Sequence, residues 1–473
     1  MEIIEKEDIQ GIIVKGYAHL PACKFVLLGM GSKQAAQQWL QLIAQNITRG
    51  SEKKPPAAVN LAFTYEGLKV LGLDGSSLDT FPLEFEDGMT TPHKQLFLGD
   101  FGNSAPDKWE WGGPQQTPVH ALLMLYAPDE TSLQLLYDMQ RQHFAQFQLT
   151  EIKRLDTAVL GQRKEHFGFH DGIAQPTIKG LGKQDTPENT VAAGEFILGY
   201  KDAYNQYPDT PQVPLLQGKE SSLPPAVKPG MLDFGKNGSY LVFRQMAQDV
   251  QVFWQYIESI TMQDGKSDEQ AMIQLAAKMV GRWPSGAPVS VCPDKDDTSM
   301  ESRDDFGYRA VDSAGLRCPI GSHIRRTNPR DAMDASSSKS MEIANKHRIL
   351  RRGRSYGKPV CDSLEPAEIL RSKNFEGERG LYFICFNAAI NRQFEFIQNA
   401  WVNNPKLLGL NHERDPLIGN NAHPDDAHQC GFFSVPANGL RRHYSNIPDF
   451  TTVKGGAYFF MPGLHALAYL AAR

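Results

Sequence analysis

Two short polar segments about 150 residues apart, Gly168-Phe169-His170-Asp171-Gly172 and Cys318-Pro319-Ile320-Gly321-Ser322-His323-Ile324-Arg325-Arg326, constrain this chain more than any other part of its sequence. Glycines frame the first, and Pro319 and Pro329 bracket the histidine of the second, so each reads as a turn or a single helical turn rather than part of a long regular element. A third segment, Arg351-Arg352-Gly353-Arg354-Ser355-Tyr356-Gly357, is rich in permanent cations. A fold that brings the three together sets a carboxylate, an imidazole and a guanidinium around one site. The chain has 473 residues, enough for about two or three domains and an interior that can enclose such a site.

Bulk properties narrow the partners. Forty-nine basic side chains against 54 acidic ones give a formal charge of −5, which offers no general attraction for nucleic acid or an anionic membrane. The start, Met-Glu-Ile-Ile-Glu-Lys-Glu-Asp, lacks the basic and apolar regions of a secretory signal, so a cytoplasmic location is expected. The longest apolar stretch, Gly380 to Ile390, is broken by Asn387 and falls short of the roughly 18 residues a membrane helix needs. The six cysteines stand singly, with no Cys-x-x-Cys-His for covalent haem attachment, and are expected as free or buried thiols. Cys318, inside the second segment, reads as a small packing residue.

The three segments together suggest haem peroxide chemistry. That chemistry needs one neutral imidazole on the iron, a group that moves the peroxide proton and a fixed positive charge for the anion that forms. His323, Asp171 and Arg351 are the candidates for these roles, with His323 as the metal ligand. The resemblance then becomes specific. Gly-x-x-Asp-Gly continued by Ile173-Ala174-Gln175-Pro176, the Cys-Pro-x-x-x-His-Ile-Arg-Arg-x-Asn-Pro-Arg stretch ending at Arg330, and Arg-Arg-Gly-x-x-Tyr-Gly resemble the dye-decolourising peroxidases. Further similar segments, Val59 to Leu73, Gly281 to Pro288, Gly380 to Trp401 and Lys454 to Pro462, spread the likeness over most of the chain.

The resemblance implies an α+β fold of two ferredoxin-like domains, of the dimeric α/β-barrel superfamily, with antiparallel sheets and helices packed around them. Residues 1–215 would carry the distal Gly-x-x-Asp-Gly loop and residues 216–473 most of the haem contacts. It also implies non-covalent haem b, with Gly172, Ile173, Ala174, Gln175, His323, Arg330 and Arg351 among the cofactor-binding residues. Leu381, Phe383 and Phe394 are apolar candidates for the porphyrin wall.

Periodicity supplies the elements. Gly11–Val14 and Ala22–Leu28 read as strands, Ser32 as the cap of a helix over Gln34–Ile47, Pro118–Ala127 as a buried strand and Glu130–Phe147 as a helix. Helices are expected at Asp249–Ile260, Asp268–Val280 and Ile390–Val402, and a strand at Leu381–Asn387. Residues 184–230, with seven prolines among polar residues, mark the domain junction.

Several alternatives stay open. His170 and His166 compete with Asp171 as the proton carrier, since histidine is the usual choice. Arg352 and Arg354 compete with Arg351, and the whole arginine-rich stretch, with Arg325, Arg326 and Arg330, also reads as a solvated basic face. The acceptor for the second nitrogen of His323 is not identifiable: relatives often carry an acid in the segment matching Gly455-Gly456-Ala457-Tyr458, and Ala457 stands here. His423, Asp425, Asp426 and His428 read as a solvated loop rather than a metal site.

The expected function is oxidation of bulky aromatic donors, dyes and phenolics, by hydrogen peroxide through an oxo-ferryl intermediate, in a monomer or homodimer with neither nucleic acid nor membrane as partner. A haem-binding or haem-iron-handling protein with little turnover is the first alternative. An anion- or nucleic-acid-binding module built on the arginines between 325 and 354 is the second.

Overall fold

Every residue of the strand Ala22–Met30 (β1) is buried, as is every residue of Ala58–Phe63 (β2) and Ala121–Ala127 (β3). Strands so uniformly buried must be covered on both faces. The computed structural model, which describes residues 3–182, 186–216, 221–372, 374–421, 431–437 and 440–473, shows how. With Leu149–Asp156 (β4), Ser239–Gln248 (β5), Leu350–Arg351 (β6), Arg354–Tyr356 (β7), Gly380–Asn387 (β8) and Thr451–Met461 (β9), they form one nine-stranded sheet in the order β6-β8-β5-β9-β2-β3-β1-β4, with β7 also on β8. All its pairings are antiparallel. The first half of the chain supplies β1 to β4 and the second β5 to β9, and the two sets meet where Phe63 pairs with Phe460. The architecture is α+β, with helices packed around the sheet.

Neighbouring strands share faces, so register decides which side chains meet. Val26, Leu123, Leu61, Val242 and Phe460 point into one core, and Phe25, Leu27, Met124, Phe243 and Ile384 into the other. Helices Lys33–Ile43 (α1), Glu130–Arg141 (α2), Val250–Thr261 (α3) and Glu269–Val280 (α4) begin at caps legible in the sequence. Ser32, Asp129, Asp249 and Asp268 accept from Ala35, Ser132, Val252 and Ala271 amides at 3.4, 2.8, 2.9 and 3.1 Å. Each cap contributes about 1 kcal/mol. Among the described residues no helix is long and apolar enough to cross a membrane.

Three elements differ from expectation. Gly11–Val14 is a single helical turn, not a strand. There the Gln10 amide reaches the backbone of Leu61 and Pro462, and a Cβ on Gly11 would lie 2.2 Å from the Tyr17 hydroxyl. α2 stops at Arg141, where Gln142 and the residues beyond it turn back into β4. The helix expected at Ile390–Val402 is wound as two π-type segments, Asn391–Glu395 and Ile397–Val402, a form that recurs at functional sites.

Candidate functional site

β5 and β8 turn Arg244, Met246, Leu381 and Phe383 toward the same side, because Leu381 pairs with Met246 and Phe383 with Arg244. Arg351 pairs with Cys385 and so joins Phe383 and Leu381 on that face. Above this face lies a cavity in which the centre of a water molecule can range over about 280 Å³. Its lining includes Asp171, Arg351, His323, Leu381, Phe383 and Phe394. Gly172, Ile173, Ala174 and Arg330 line it as well.

The loop carrying Asp171 is shaped by two glycines in the left-handed region, Gly168 at φ +98° and Gly172 at φ +81°. At Gly168 a Cβ would also lie 2.8 Å from the Leu364 carbonyl oxygen. The Asp171 amide donates to Arg163 O at 3.0 Å and the His170 amide to Pro284 O at 3.2 Å. Asp171 Oδ1 accepts from the Gly172 amide at 2.6 Å and from Arg351 Nη1 at 2.9 Å. Burial pushes this carboxyl up, but the Arg351 guanidinium and the Gly172 amide more than offset it, holding it below its ordinary value. It is therefore an anion at neutral pH, and Oδ2 has no hydrogen-bond partner among the described residues.

The competing histidines are placed elsewhere. His166 is fully buried, its Nε2 donates to Tyr356 O at 2.8 Å, and burial pushes it down to about 4. It is neutral and outside the cavity lining. His170 does line the cavity, with Nδ1 engaged by Ser285 O at 3.1 Å.

Strand register separates the arginines. Arg352 follows Arg351 on the opposite face and donates to Ile12 O and Ile13 O at 3.0 and 3.3 Å, and Arg354 reaches Gly16 O at 2.9 Å. Arg325 and Arg326 are buried rather than solvated, which overturns the reading of a basic face. Arg325 pairs with Asp312 at 3.1 Å, and Arg326 donates to the carbonyls of Trp401, Glu413 and Asn404. These cations are spent on internal acceptors.

His323 opens the one-turn helix His323–Thr327 (α5), as the bracketing prolines led one to expect. The helix lies hard against the end of α4, where Gly281 has φ +95° and a Cβ would meet Ile324 at 2.5 Å. His323 Nδ1 donates to Asp415 Oδ2 at 2.9 Å, and Asp415 is wholly buried. Its other oxygen accepts from the Leu417 and Ile418 amides at 2.9 and 3.1 Å. Burial pushes Asp415 up, yet His323 and Arg326 hold it below its ordinary value, so it is an acceptor and fixes the proton on Nδ1. Burial pushes the imidazole down, and Asp415 overrides this and raises it. In the neutral imidazole Nε2 carries the lone pair, and it has no protein partner among the described residues. The acceptor that the sequence left unnamed is thus a carboxylate 92 residues away, followed directly by Pro416. An aspartate before proline in a loop was its only signal, and a weak one.

Two expected cofactor contacts are placed differently. Gln175 does not line the cavity: its Oε1 accepts from the Arg351 amide at 3.1 Å, steadying the strand that carries Arg351. Arg330 lines the cavity, but its Nη1 donates to the carbonyls of Asp304 and Phe306 at 2.7 and 3.1 Å and its Nη2 pairs with Asp304. Arg282, which sequence reasoning missed, shares the same carboxylate at 3.0 Å and also lines the cavity. Two cations on one anion leave a net positive charge in the cavity wall. Burial and the Arg330 charge, only partly countered by Asp304, push Arg282 down to about 10.

An imidazole with a free nitrogen, apolar walls from Leu381, Phe383 and Phe394, and a net cation in the cavity wall suit an iron porphyrin, which carries a metal, a flat apolar ring and two carboxylates. Among the described residues no group of three or more His, Cys, Asp or Glu forms a rival metal site. His423, Asp425, Asp426 and His428 lie outside those residues. Cys318 is buried, and its thiol is pushed up to about 11 by burial, as suits a packing residue.

Comparison with known proteins agrees with the geometry. A family model described as Dyp-type peroxidase, C-terminal, matches residues 227–413. Peroxidase 2 of Mycetinis scorodonius is 31% identical over 443 residues, spanning 88% of this chain and 76% of that protein. A Dye-decolorizing peroxidase of Exidia glandulosa is 28% identical across 98% of this chain and 86% of its own length. Among solved structures, an ancestral D-type dye decolorizing peroxidase superposes with a TM-score of 0.79 at 26% identity, covering 99% of both chains. These likenesses define the class as a haem peroxidase. The chain belongs to the dye-decolourising peroxidase family.

Proposed function

We propose that this chain binds haem b without a covalent link, that His323 Nε2 would hold its iron, and that the protein uses hydrogen peroxide to oxidise bulky aromatic donors such as dyes and phenolics. The name Dye-decolorizing peroxidase, carried by the Exidia glandulosa relative at 28% identity, supports dyes as the donor class. The bound haem would supply the redox chemistry, receiving oxidising equivalents from peroxide and passing them to donors one electron at a time.

The protein's own groups do the rest. Asp415 holds His323 in the tautomer that presents a lone pair and makes it a stronger electron donor. Asp171 Oδ2 takes the proton of the incoming peroxide and returns it to the departing oxygen, so that the leaving group departs as water. Arg351 stabilises negative charge on peroxide through the transfer, with no proton of its own to lose. Leu381, Phe383 and Phe394 keep water from the reacting atoms. Arg282 and Arg330 would pair with a propionate through the guanidinium hydrogens not already given to the Asp304 carboxylate and to the carbonyls of Gly286, Arg303, Asp304 and Phe306. The division at residues 215 and 216 into a unit bearing the distal loop and a unit bearing most haem contacts belongs to the same reading.

One observation carries the proposal: an ionised carboxylate paired with an arginine and an imidazole paired with a buried carboxylate line the same cavity. The test is the visible spectrum of the purified protein before and after peroxide. A Soret band that changes on peroxide addition and returns as a phenol is consumed supports it. A stable Soret band indifferent to peroxide would leave a haem-handling protein instead, and no Soret band after haem reconstitution would end it.

A further inference from the structure

The cavity wall holds a sulfur that the mechanism above does not use. Met246 of β5 pairs with Leu381 of β8 on one side and Val453 of β9 on the other, and its half-buried side chain lines the cavity as theirs do. Among the described residues no other methionine and no cysteine lines it. Arg244, two residues away on the same face of the strand, gives Nη2 to Asp100, and its buried Nε has no partner among the described residues.

A thioether is soft and polarisable, and one oxygen atom converts it to a polar, chiral sulfoxide. Peroxide balances that conversion. Its O–O bond breaks, one oxygen bonds to sulfur, which gives up two electrons, and the other oxygen leaves as water with both hydrogens. A haem peroxidase brings peroxide into its cavity, and aromatic donors consume the oxidising equivalents one electron at a time. When donors run out, a thioether on the wall can take both equivalents in a single oxygen transfer. Exposure alone points elsewhere: Met139 and Met262, with 59% and 45% of their surface accessible, lie where peroxide in bulk solution meets them directly.

We propose that Met246 is a modification site: with donors exhausted, haem-dependent oxygen transfer from peroxide turns it into methionine sulfoxide, and the change ends turnover. The inference rests on haem occupying the cavity. The sulfoxide oxygen puts an acceptor into a wall that Leu381, Phe383 and Val453 keep apolar, and the unpaired Nε–H of Arg244 is a donor for it on the same face. A polar group there draws water toward the reacting atoms and loosens the seat of a flat apolar ring. The working life of the protein then depends on the ratio of donor to peroxide, not on peroxide alone.

The test gives the same dose of peroxide to the haem-loaded and the haem-free protein, with and without guaiacol as the phenolic donor, in wild type and Met246→Leu. Peptide mass spectrometry reads the oxygen gained at each methionine, and the Soret band and residual activity are followed in parallel. In the haem-loaded wild type without guaiacol, Met246 should gain an oxygen before Met139 and Met262 do, in step with the loss of activity. Guaiacol should delay both. Without haem the order should reverse. Met246→Leu, close in size, should keep a larger share of its starting activity after the dose that silences the wild type. Oxidation of Met139 and Met262 first in the haem-loaded protein, oxidation of Met246 as fast without haem, or a Met246→Leu variant silenced by the same dose overturns the proposal. The order of oxidation is read in the wild type, so it decides even where the variant binds haem poorly. A Soret band indifferent to peroxide means that the haem reading has failed and takes this site with it; a Soret band that responds while Met246 stays unoxidised means that this site alone has failed.

Discussion

On the His323 side of the cavity the carboxylate that orients the site, Asp415, is fully committed, whereas on the Asp171 side the carboxylate keeps one oxygen free. Asp415 spends one oxygen on His323 and the other on two amides, and none of its surface is accessible. Asp171 and Arg351 share one hydrogen bond at 2.9 Å, yet their side chains keep 40% and 31% of their surface accessible. The difference matches the two tasks. A ligand to a resident cofactor must stay put through every turnover, so its imidazole is clamped by a partner that cannot move. A group that exchanges protons with a small substrate must be reachable, so it is oriented by its loop and by one cation and left open toward the cavity.

The comparison breaks most severely at His323. His323→Ala should lower haem occupancy and remove most peroxidase activity while leaving a soluble fold, read from the Soret absorbance per protein. Asp171→Asn keeps the size of the side chain but cannot accept the proton, and the peroxide reaction should slow by about 10²- to 10⁴-fold with haem still bound. Arg351→Leu should cost about 10²- to 10³-fold, roughly 3 kcal/mol of charge stabilisation. Asp415→Asn sharpens the contrast: it loosens the clamp without removing the ligand, and about a 10- to 100-fold loss is expected, with a shift in the reduction potential of the haem. The smallest effect should come from Arg352→Leu, whose guanidinium faces the N-terminal segment rather than the cavity. A large loss there would put the loop register in error.

The pH dependence separates the two walls as well. The carboxyl of Asp171 lies below its ordinary value, so its salt-bridge stabilisation is present above that value and is lost only as pH falls through the lower, folded one. The peroxide-binding rate should therefore persist into mildly acidic solution. A histidine base would already be protonated near its usual pKa of about 6.5. The profile should be measured for wild type, Asp171→Asn and His170→Ala. If His170→Ala loses the reaction while Asp171→Asn keeps it, the proton carrier is His170.

What the sequence disclosed about this molecule is local. The cap at Asp249, the one-turn helix at His323 and the glycine-framed turn at Asp171 each depend on neighbours within a few residues, and the text of the chain carries them. Arg351 could be distinguished from Arg352 only through the family likeness, since strand alternation separates them only once the pairing with Cys385 is known. Asp415 was invisible because its role is set by a contact 92 residues away. Arg325 and Arg326 misled for the opposite reason: charged side chains are presumed solvated, and only the tertiary structure reveals carbonyls and Asp312 waiting for them. Gly11–Val14 became a helical turn because distant backbone claimed the neighbouring Gln10.

The central claim is that the two walls serve one haem, with His323 on its iron. It is tested most directly by magnetic resonance of the ferric haem-reconstituted protein, comparing wild type with His323→Ala, with and without added imidazole. The account predicts a nitrogen axial ligand in the wild type, its loss in His323→Ala, and its return when imidazole fills the space. Iron coordination unchanged by the substitution would contradict it.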